Sequence, residues 1–220
     1  MVLLKEPETG LYFAKKTLLI DDSFYKDLFE NEVRVHSNLS HRYIIEFKER
    51  TESRSFVMEY ANRGNIQSMI GKISDYATLR KYVLHFLSAL EFLHNSGLVH
   101  NDIKPSNLLI SGKDRVKLSD FAFSGKVNEV TFKNMPANMI IGTYLYKPSE
   151  ERYERLNLLS HDFYASGMIL YQLFAQIKQP TEINLKLIIN LQLREIISKC
   201  LSGNYNKAGQ IIEDINNIKF

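Results

Sequence analysis

Four polar residues stand at a spacing that chemistry can use. Asp102, Lys104 and Asn107 lie at offsets 0, 2 and 5 in the run His100-Asn101-Asp102-Ile103-Lys104-Pro105-Ser106-Asn107, and Asp120 follows thirteen residues after Asn107, heading Asp120-Phe121-Ala122. A carboxylate in such a loop can orient a substrate hydroxyl and accept its proton. A lysine two residues on can neutralise charge on a moving phosphoryl group, and an amide with a second carboxylate can hold magnesium against phosphates. In-line phosphoryl transfer depends on positioning and electrostatics, so a tight loop that aims a base, a cation and a metal ligand at one phosphorus matches what that chemistry needs.

The elements that must position these groups follow from periodicity. Val2-Leu3-Leu4 and Leu11-Tyr12-Phe13-Ala14 flank a Pro-Glu-Thr-Gly turn signal and predict a β-hairpin. Residues 23 to 38 place Phe24, Leu28 and Val35 among charges and predict a helix. Strands are expected over Ile44 to Lys48 and Ser55 to Tyr60, with a connector at Ala61-Asn62-Arg63-Gly64-Asn65. From Leu79 to His94 the apolar residues recur at helical spacing, and Asn95-Ser96-Gly97 ends that helix. Leu108-Leu109-Ile110 and Val116-Lys117-Leu118 read as short strands around Gly112-Lys113-Asp114, residues 122 to 147 as a long loop, and everything from Asp162 onward as helical. The expected fold class is therefore α+β: a small strand-rich part over 1–60, a hinge near residue 61 and a larger helical part over 61–220.

Composition narrows the setting. The hydrophobic fraction of 45% and charged fraction of 24% are those of an ordinary soluble globular protein, and a net charge of +3 gives no reason to expect nucleic acid as a partner. The single cysteine, Cys200, excludes an internal disulfide and points to an intracellular location, with Cys200 itself a buried structural thiol. The apolar run at the N-terminus is too short for a signal peptide, and no segment approaches the length of a membrane span.

Taken together, the motifs resemble the eukaryotic-type protein kinases, over residues 2 to about 215. Phe13-Ala14-Lys15-Lys16 is similar to the family's Val-Ala-Ile-Lys strand. The resemblance implies that Lys16 holds the nucleotide phosphates, that Ala14, Val2 and Leu109 line the adenine site, and that Glu32 on the following helix pairs with Lys16. Phe56-Val57-Met58-Glu59-Tyr60-Ala61 resembles the strand and hinge that receive adenine, with Met58 as gatekeeper and Glu59 and Ala61 offering backbone hydrogen bonds. Asp102 is then the catalytic base, Lys104 the phosphate-stabilising cation, and Asn107 and Asp120 the Mg²⁺ ligands. Gly142-Thr143-Tyr144-Leu145-Tyr146-Lys147-Pro148-Ser149-Glu150 resembles the close of an activation segment, and Thr143 implies a serine/threonine kinase. Asp162 matches the helix-start residue that anchors the catalytic-loop backbone, and Lys207 stands near where the family has an arginine that pairs with the glutamate matched here by Glu150. Implied cofactors are ATP and Mg²⁺. The implied partners are a protein substrate with a serine or threonine acceptor and possible regulatory proteins that complete or cover the ATP site, with no membrane or nucleic-acid partner.

The chain also departs from the family pattern. Val2 matches the valine just after the Gly-rich loop, so that loop has no counterpart, which predicts weaker ATP binding or a site completed by another chain. Asn101 replaces an arginine, Ala122 replaces the glycine of Asp-Phe-Gly and loses ready access to positive φ, and His36 takes a normally apolar position against Phe121. An alternative reading therefore stays open: a pseudokinase or decoy that docks on a kinase, substrate or regulator. A small-molecule phosphotransferase is disfavoured by Lys104, Thr143 and the segment Pro148-Ser149-Glu150.

Overall fold

The computed structural model describes residues 1–127, 142–148 and 158–218. Its first layer is an antiparallel sheet of four strands: β1 (Val2–Lys5), β2 (Tyr12–Thr17), β3 (Phe47–Glu52) and β4 (Ser55–Glu59), in the order β1-β2-β4-β3. The predicted hairpin is β1 with β2, and β2 in turn pairs with β4 so that Ala14 faces Met58. The strand expected over Ile44 to Lys48 begins only at Phe47. Ile44 and Ile45 are buried, but their backbone goes elsewhere: Ile45 N donates to Leu118 O (2.9 Å) and Leu118 N to Tyr43 O (2.8 Å). An apolar pair cannot reveal by pattern alone which partner takes its hydrogen bonds.

Helix α1 (Ser23–His36) packs against this sheet through Phe29 and Val33. Asp22 caps it by accepting from the amides of Phe24 (2.9 Å) and Tyr25 (3.3 Å), and Phe24, Leu28, Phe29, Glu32, Val35 and His36 form its buried face. A small core of Ala14, Phe29, Ile45, Phe56 and Met58 fills the space between helix and sheet.

The second layer is mainly helical. A single turn, α2 (Ile66–Met69), not foreseen in the sequence, leads to α3 (Tyr76–Asn95), which starts three residues earlier than its apolar period because Asp75 caps it. Strands β6 (Leu108–Ile110) and β7 (Val116–Leu118) form the expected hairpin. A second small pair was not foreseen: β5 (Leu98–Val99) with β8 (Gly125–Lys126), which puts a strand inside the predicted loop, while residues 128–141 of that loop lie outside the described residues. Helices α4 (Leu158–Ala175), α5 (Leu191–Ser202) and α6 (Ala208–Asn216) complete the layer. Two sequence expectations are corrected here. Asp162 lies one turn inside α4 rather than at its start, and residues 176–190 are irregular apart from a 3₁₀ turn at Leu185–Leu187. Gln176 at φ 58 ends α4, and Pro180 follows.

Phe86, Leu87, Leu90 and Leu93 of α3, Phe163, Ile169 and Tyr171 of α4, and Ile196 and Ile197 of α5 share one large core, which also takes in Val35, Leu39 and Ile44. A Cβ on Gly167 would lie 2.7 Å from Cys200 Cβ, so a glycine lets α4 approach α5 closely. Burial pushes the Cys200 thiol well above its usual range, in keeping with a structural role.

Candidate active site

The loop carrying Asp102 is fixed from below. Asp162 on α4 accepts from the amides of His100 (2.8 Å) and Asn101 (2.9 Å) and from His94 Nε2 (2.9 Å). Burial alone would raise this carboxyl, yet the His94 hydrogen bond, the neighbouring His94 and His100 rings and the His100 amide hold it below the ordinary carboxylate value. His100 adds a second tie: its Nε2 donates to Ser119 O (3.1 Å) and its Nδ1 accepts from the Asp102 amide (3.3 Å). Asn101 adopts φ 64, a left-handed conformation that asparagine tolerates better than most residues, and its side chain donates to Phe123 O (3.0 Å).

Above this base the predicted residues converge. Lys104 Nζ lies 2.7 Å from Asp102 Oδ2 and donates to Thr143 Oγ1 at 3.0 Å, while Thr143 donates to Asp102 Oδ1 at 2.8 Å. The three side chains close a triangle. Asn107 Nδ2 donates to Asp102 O (2.9 Å) and Oδ2 (3.2 Å). Gly142 makes room for the triangle: it sits at φ 82, and a Cβ there would lie 2.4 Å from Asn101 O and 3.4 Å from Asp102 Oδ1.

A second cluster bridges the layers. Lys16 on β2 reaches Glu32 of α1 at 2.6 Å and Asp120 at 3.1 Å. Burial works against the Lys16 charge, but the two carboxylates outweigh it and raise the ammonium above its usual value. Burial also opposes the Asp120 charge, and Lys16 nevertheless holds that carboxyl low. Glu32 differs. Its burial outweighs the pull of Lys16 and pushes it up to about 7, with the Asp120 charge adding to the rise.

Oxygen donors for a hard cation are present. Asn107 uses only its NH₂ group within the chain, and Asp120 uses only Oδ1, so Asn107 Oδ1 and Asp120 Oδ2 are left as acceptors without a protein donor among the described residues. This donor set fits Mg²⁺, which takes one or two protein oxygens and draws the rest of its shell from phosphate and water.

The residues expected at adenine divide. Ala14 and Met58 belong to the small core, with Ala61 and Leu109 packed against it, so these four come together. Val2 stands apart on β1, paired in register with Lys15 and 57% exposed. The Glu59 amide donates to Glu46 O (2.8 Å), and its carboxylate binds Lys117 Nζ (2.5 Å).

Three contributors were not foreseen. Asn31 donates to the carbonyls of Ala122 and Ser124, both at 2.8 Å, tying α1 to the chain after Asp120; its only sequence signal is its place beside Glu32. Ser124 donates to His100 O (3.3 Å). Lys147 lines a small cavity with Asp102, Thr143 and Asp162, and burial lowers its ammonium to about 8 although both carboxylates favour the charge. Asp120 adopts φ 67, whereas Ala122 is not among the residues at positive φ, so alanine is unstrained in this arrangement. His36 is buried against Phe121, ring centroids 5.0 Å apart, with Nε2 donating to Ile45 O (2.6 Å) and Nδ1 without a partner. Burial depresses it to about 4. The expected Lys207–Glu150 pair cannot be placed: Lys207 precedes α6 as its N-cap, and Ser149 and Glu150 lie outside the described residues.

Comparison with known proteins agrees with this geometry. The family model described as the protein kinase domain matches residues 1–217. Human 3-phosphoinositide-dependent protein kinase 1 is 34% identical over 146 residues, covering 64% of this chain and 26% of the relative. Developmentally-regulated protein kinase 1 of Dictyostelium discoideum is 31% identical over 185 residues (78% and 25%), and Aurora kinase of Schizosaccharomyces pombe 27% over 232 residues (93% and 63%). The aligned part is thus about a quarter of the length of the first two relatives.

Proposed function

Because the chain belongs to the protein kinase domain family, we propose that it transfers the γ-phosphoryl group of ATP to serine or threonine hydroxyls of protein substrates. The observation that supports this reading is a pair of side-chain clusters, Asp102–Lys104–Thr143 and Glu32–Lys16–Asp120, which between them hold the proposed base, two cations and carboxylate oxygens.

In the proposed step the acceptor hydroxyl oxygen attacks the γ-phosphorus, the bond to the bridging oxygen breaks, ADP departs, and the hydroxyl proton passes to Asp102. Thr143 and Lys104 hold the Asp102 carboxylate in place, and Lys104 offers its charge to the moving phosphoryl group. Lys16, oriented by Glu32, meets the nucleotide phosphates. Asn107 and Asp120 would hold Mg²⁺, which supplies charge neutralisation on the phosphate oxygens. Adenine is proposed to lie against Ala14, Met58, Ala61 and Leu109, with Val2 above it and backbone groups of Glu59 and Ala61 at its edge.

A single domain over 1–220, with lobes dividing at 60/61, belongs to the same proposal, supported by the small core whose five buried residues all lie before residue 61, with Ala61 and Leu109 packed against it from beyond. So do the protein substrate, a regulator that covers the ATP site, and an intracellular location. No helix among the described residues is long and apolar enough to cross a membrane.

The retained set of ionic partners favours this reading over a decoy, since a docking module gains nothing from a half-buried lysine held between two carboxylates, one of them, Glu32, buried and costly to desolvate. Phosphoamino-acid analysis of a generic protein labelled with γ-³²P-ATP tests it: label on serine or threonine is expected, and label on tyrosine alone would refute the serine/threonine assignment.

A further inference from the structure

A cleft of about 580 Å³ is lined by Glu59, Tyr60 and Asn62 at the hinge, and neither Ala14 nor Leu109 is in its lining. Leu11, Phe13 and Tyr60 form an apolar and aromatic wall, and the β6–β7 turn carrying Ser111, Lys113 and Arg115 forms the other. The lining holds four cations and two carboxylates. The carboxylates are already engaged, Glu59 by Lys117 (2.5 Å) and Glu46 by Lys48 (2.7 Å). That leaves Lys113 and Arg115 without an ion-pair partner among the described residues.

Asp114 sits between these two cations in sequence and does not neutralise them. Its carboxylate is turned to the other side of the turn, where it binds Arg63 (2.8 Å), Lys81 and Tyr82. The same wall contains a buried polar atom with no hydrogen-bond partner, Ser111 Oγ. Buried hydroxyls are rarely left unmatched. The amides of Gly112 and Lys113 at the tip of the turn also donate to no backbone group in the described residues. Two cations, an unmatched hydroxyl and two free amides share one edge of a cavity large enough for a small ligand or a side chain.

We propose that this cleft binds a phosphate monoester, with the phosphate on the Ser111–Arg115 turn and its carrier against Leu11, Phe13 and Tyr60. Two unpaired cations match a dianion better than a single carboxylate does, and an arginine offers phosphate a two-pronged hydrogen bond. The carrier is a phosphorylated peptide or a small aromatic phosphate; the chemistry at the turn is shared. This site is independent of the phosphotransfer proposed above and stands if that reading fails.

The test is a titration of the ¹⁵N-labelled full chain with phenyl phosphate, inorganic phosphate, benzoate and a phosphoserine peptide, following the backbone amides. Phenyl phosphate is expected to shift Gly112 and Lys113 and to bind more tightly than benzoate. Lys113→Glu, a change on an exposed turn, and Lys113→Glu with Arg115→Ala should weaken binding by roughly tenfold or more, whereas Lys16→Met in the nucleotide cleft should not. A phosphoserine peptide that binds more tightly than phenyl phosphate identifies a peptide carrier, and equal affinity identifies a small phosphate. Shifts confined to residues around Lys16 and Lys104, benzoate binding as tight as phenyl phosphate, or affinity unchanged by both turn variants would overturn the proposal.

Discussion

At the scale of single residues, Lys16 and His36 are the most informative positions. Lys16 is the only cation shared by Glu32 and Asp120 among the described residues. Lys16→Met should therefore lower kcat/KM by roughly 10²- to 10³-fold, as loss of one preorganised electrostatic contact does, and it should also lower thermal stability, because buried Glu32 is left beside Asp120 without its cation; steady-state kinetics beside a melting curve measures both. His36 concerns stability. The fold keeps it neutral down to about pH 4, whereas in the unfolded chain it titrates near 6.5. Between those values the unfolded chain takes up a proton that the fold refuses, so the His36 contribution is complete above pH 6.5 and is lost as pH falls toward 4, on the order of 3 kcal/mol in all. Half-buried His85, also depressed to about 4, acts in the same direction. Glu32 opposes both: raised to about 7, its stabilising contribution is lost as pH rises from 4.5 through 7. Urea unfolding at pH 7 and pH 4.5 should show His36→Leu losing less stability on acidification than the parent, and an equal loss would contradict the burial argument. At this scale the sequence was most legible. Asp102, Lys104, Asn107, Asp120, Lys16 and Glu32 were all named from spacing and resemblance, because such chemistry requires fixed side-chain types. Asn31 and Ser124 were not, because what they contribute is a hydrogen bond to a carbonyl, and any polar residue can look like that from sequence.

At the scale of elements, the loop with Asp102 owes its shape to two neighbours, α4 below and the segment at Gly142 above. Asp162→Ala would leave the His100 and Asn101 amides without their acceptor, and a loss of about 3 kcal/mol or more is expected in chemical denaturation. Gly142→Ala forces a Cβ to within 2.4 Å of Asn101 O at a backbone angle unfavourable to L-residues. That variant should lose activity by displacing Thr143 from Asp102, and activity equal to the parent would remove Gly142 from the account. Helices with a strong apolar period and a capping residue, α1 and α3, were readable almost to their ends. The errors fell where tertiary contacts decide. Tyr43 and Ile45 gave backbone bonds to β7 and Ile44 gave its amide to His41, the two-residue strands β5 and β8 carry no pattern to read, and residues 176–190 hold no sustained apolar period, with Asn184 capping only a 3₁₀ turn before Asn190 caps α5.

At the scale of the whole molecule, the two layers differ in how much they bury. All four residues of β1 are exposed and pair on one side only, and five of the six residues of β3 are exposed, while α3, α4 and α5 share one continuous core. Hydrogen exchange should accordingly be faster in β1 and β3 than in α3 and α4 by orders of magnitude, and equal protection would contradict this uneven stability. The bilobal α+β class was legible because strand and helix periods segregate along the chain; the cleft behind the hinge was not, because its walls come from residues 10–13, 46–62 and 111–117, which no local pattern joins.

The central claim, that Asp102 and its partners perform phosphoryl transfer, is tested most directly by single-turnover transfer of γ-³²P from Mg·ATP to a protein substrate, comparing the parent chain with Asp102→Asn and measuring Mg·ATP affinity in both. Transfer by the parent is expected, with a drop of roughly 10²- to 10⁴-fold in the variant and similar nucleotide affinity in the two. Equal transfer by both chains, or Mg·ATP bound by the parent without any transfer, would contradict it.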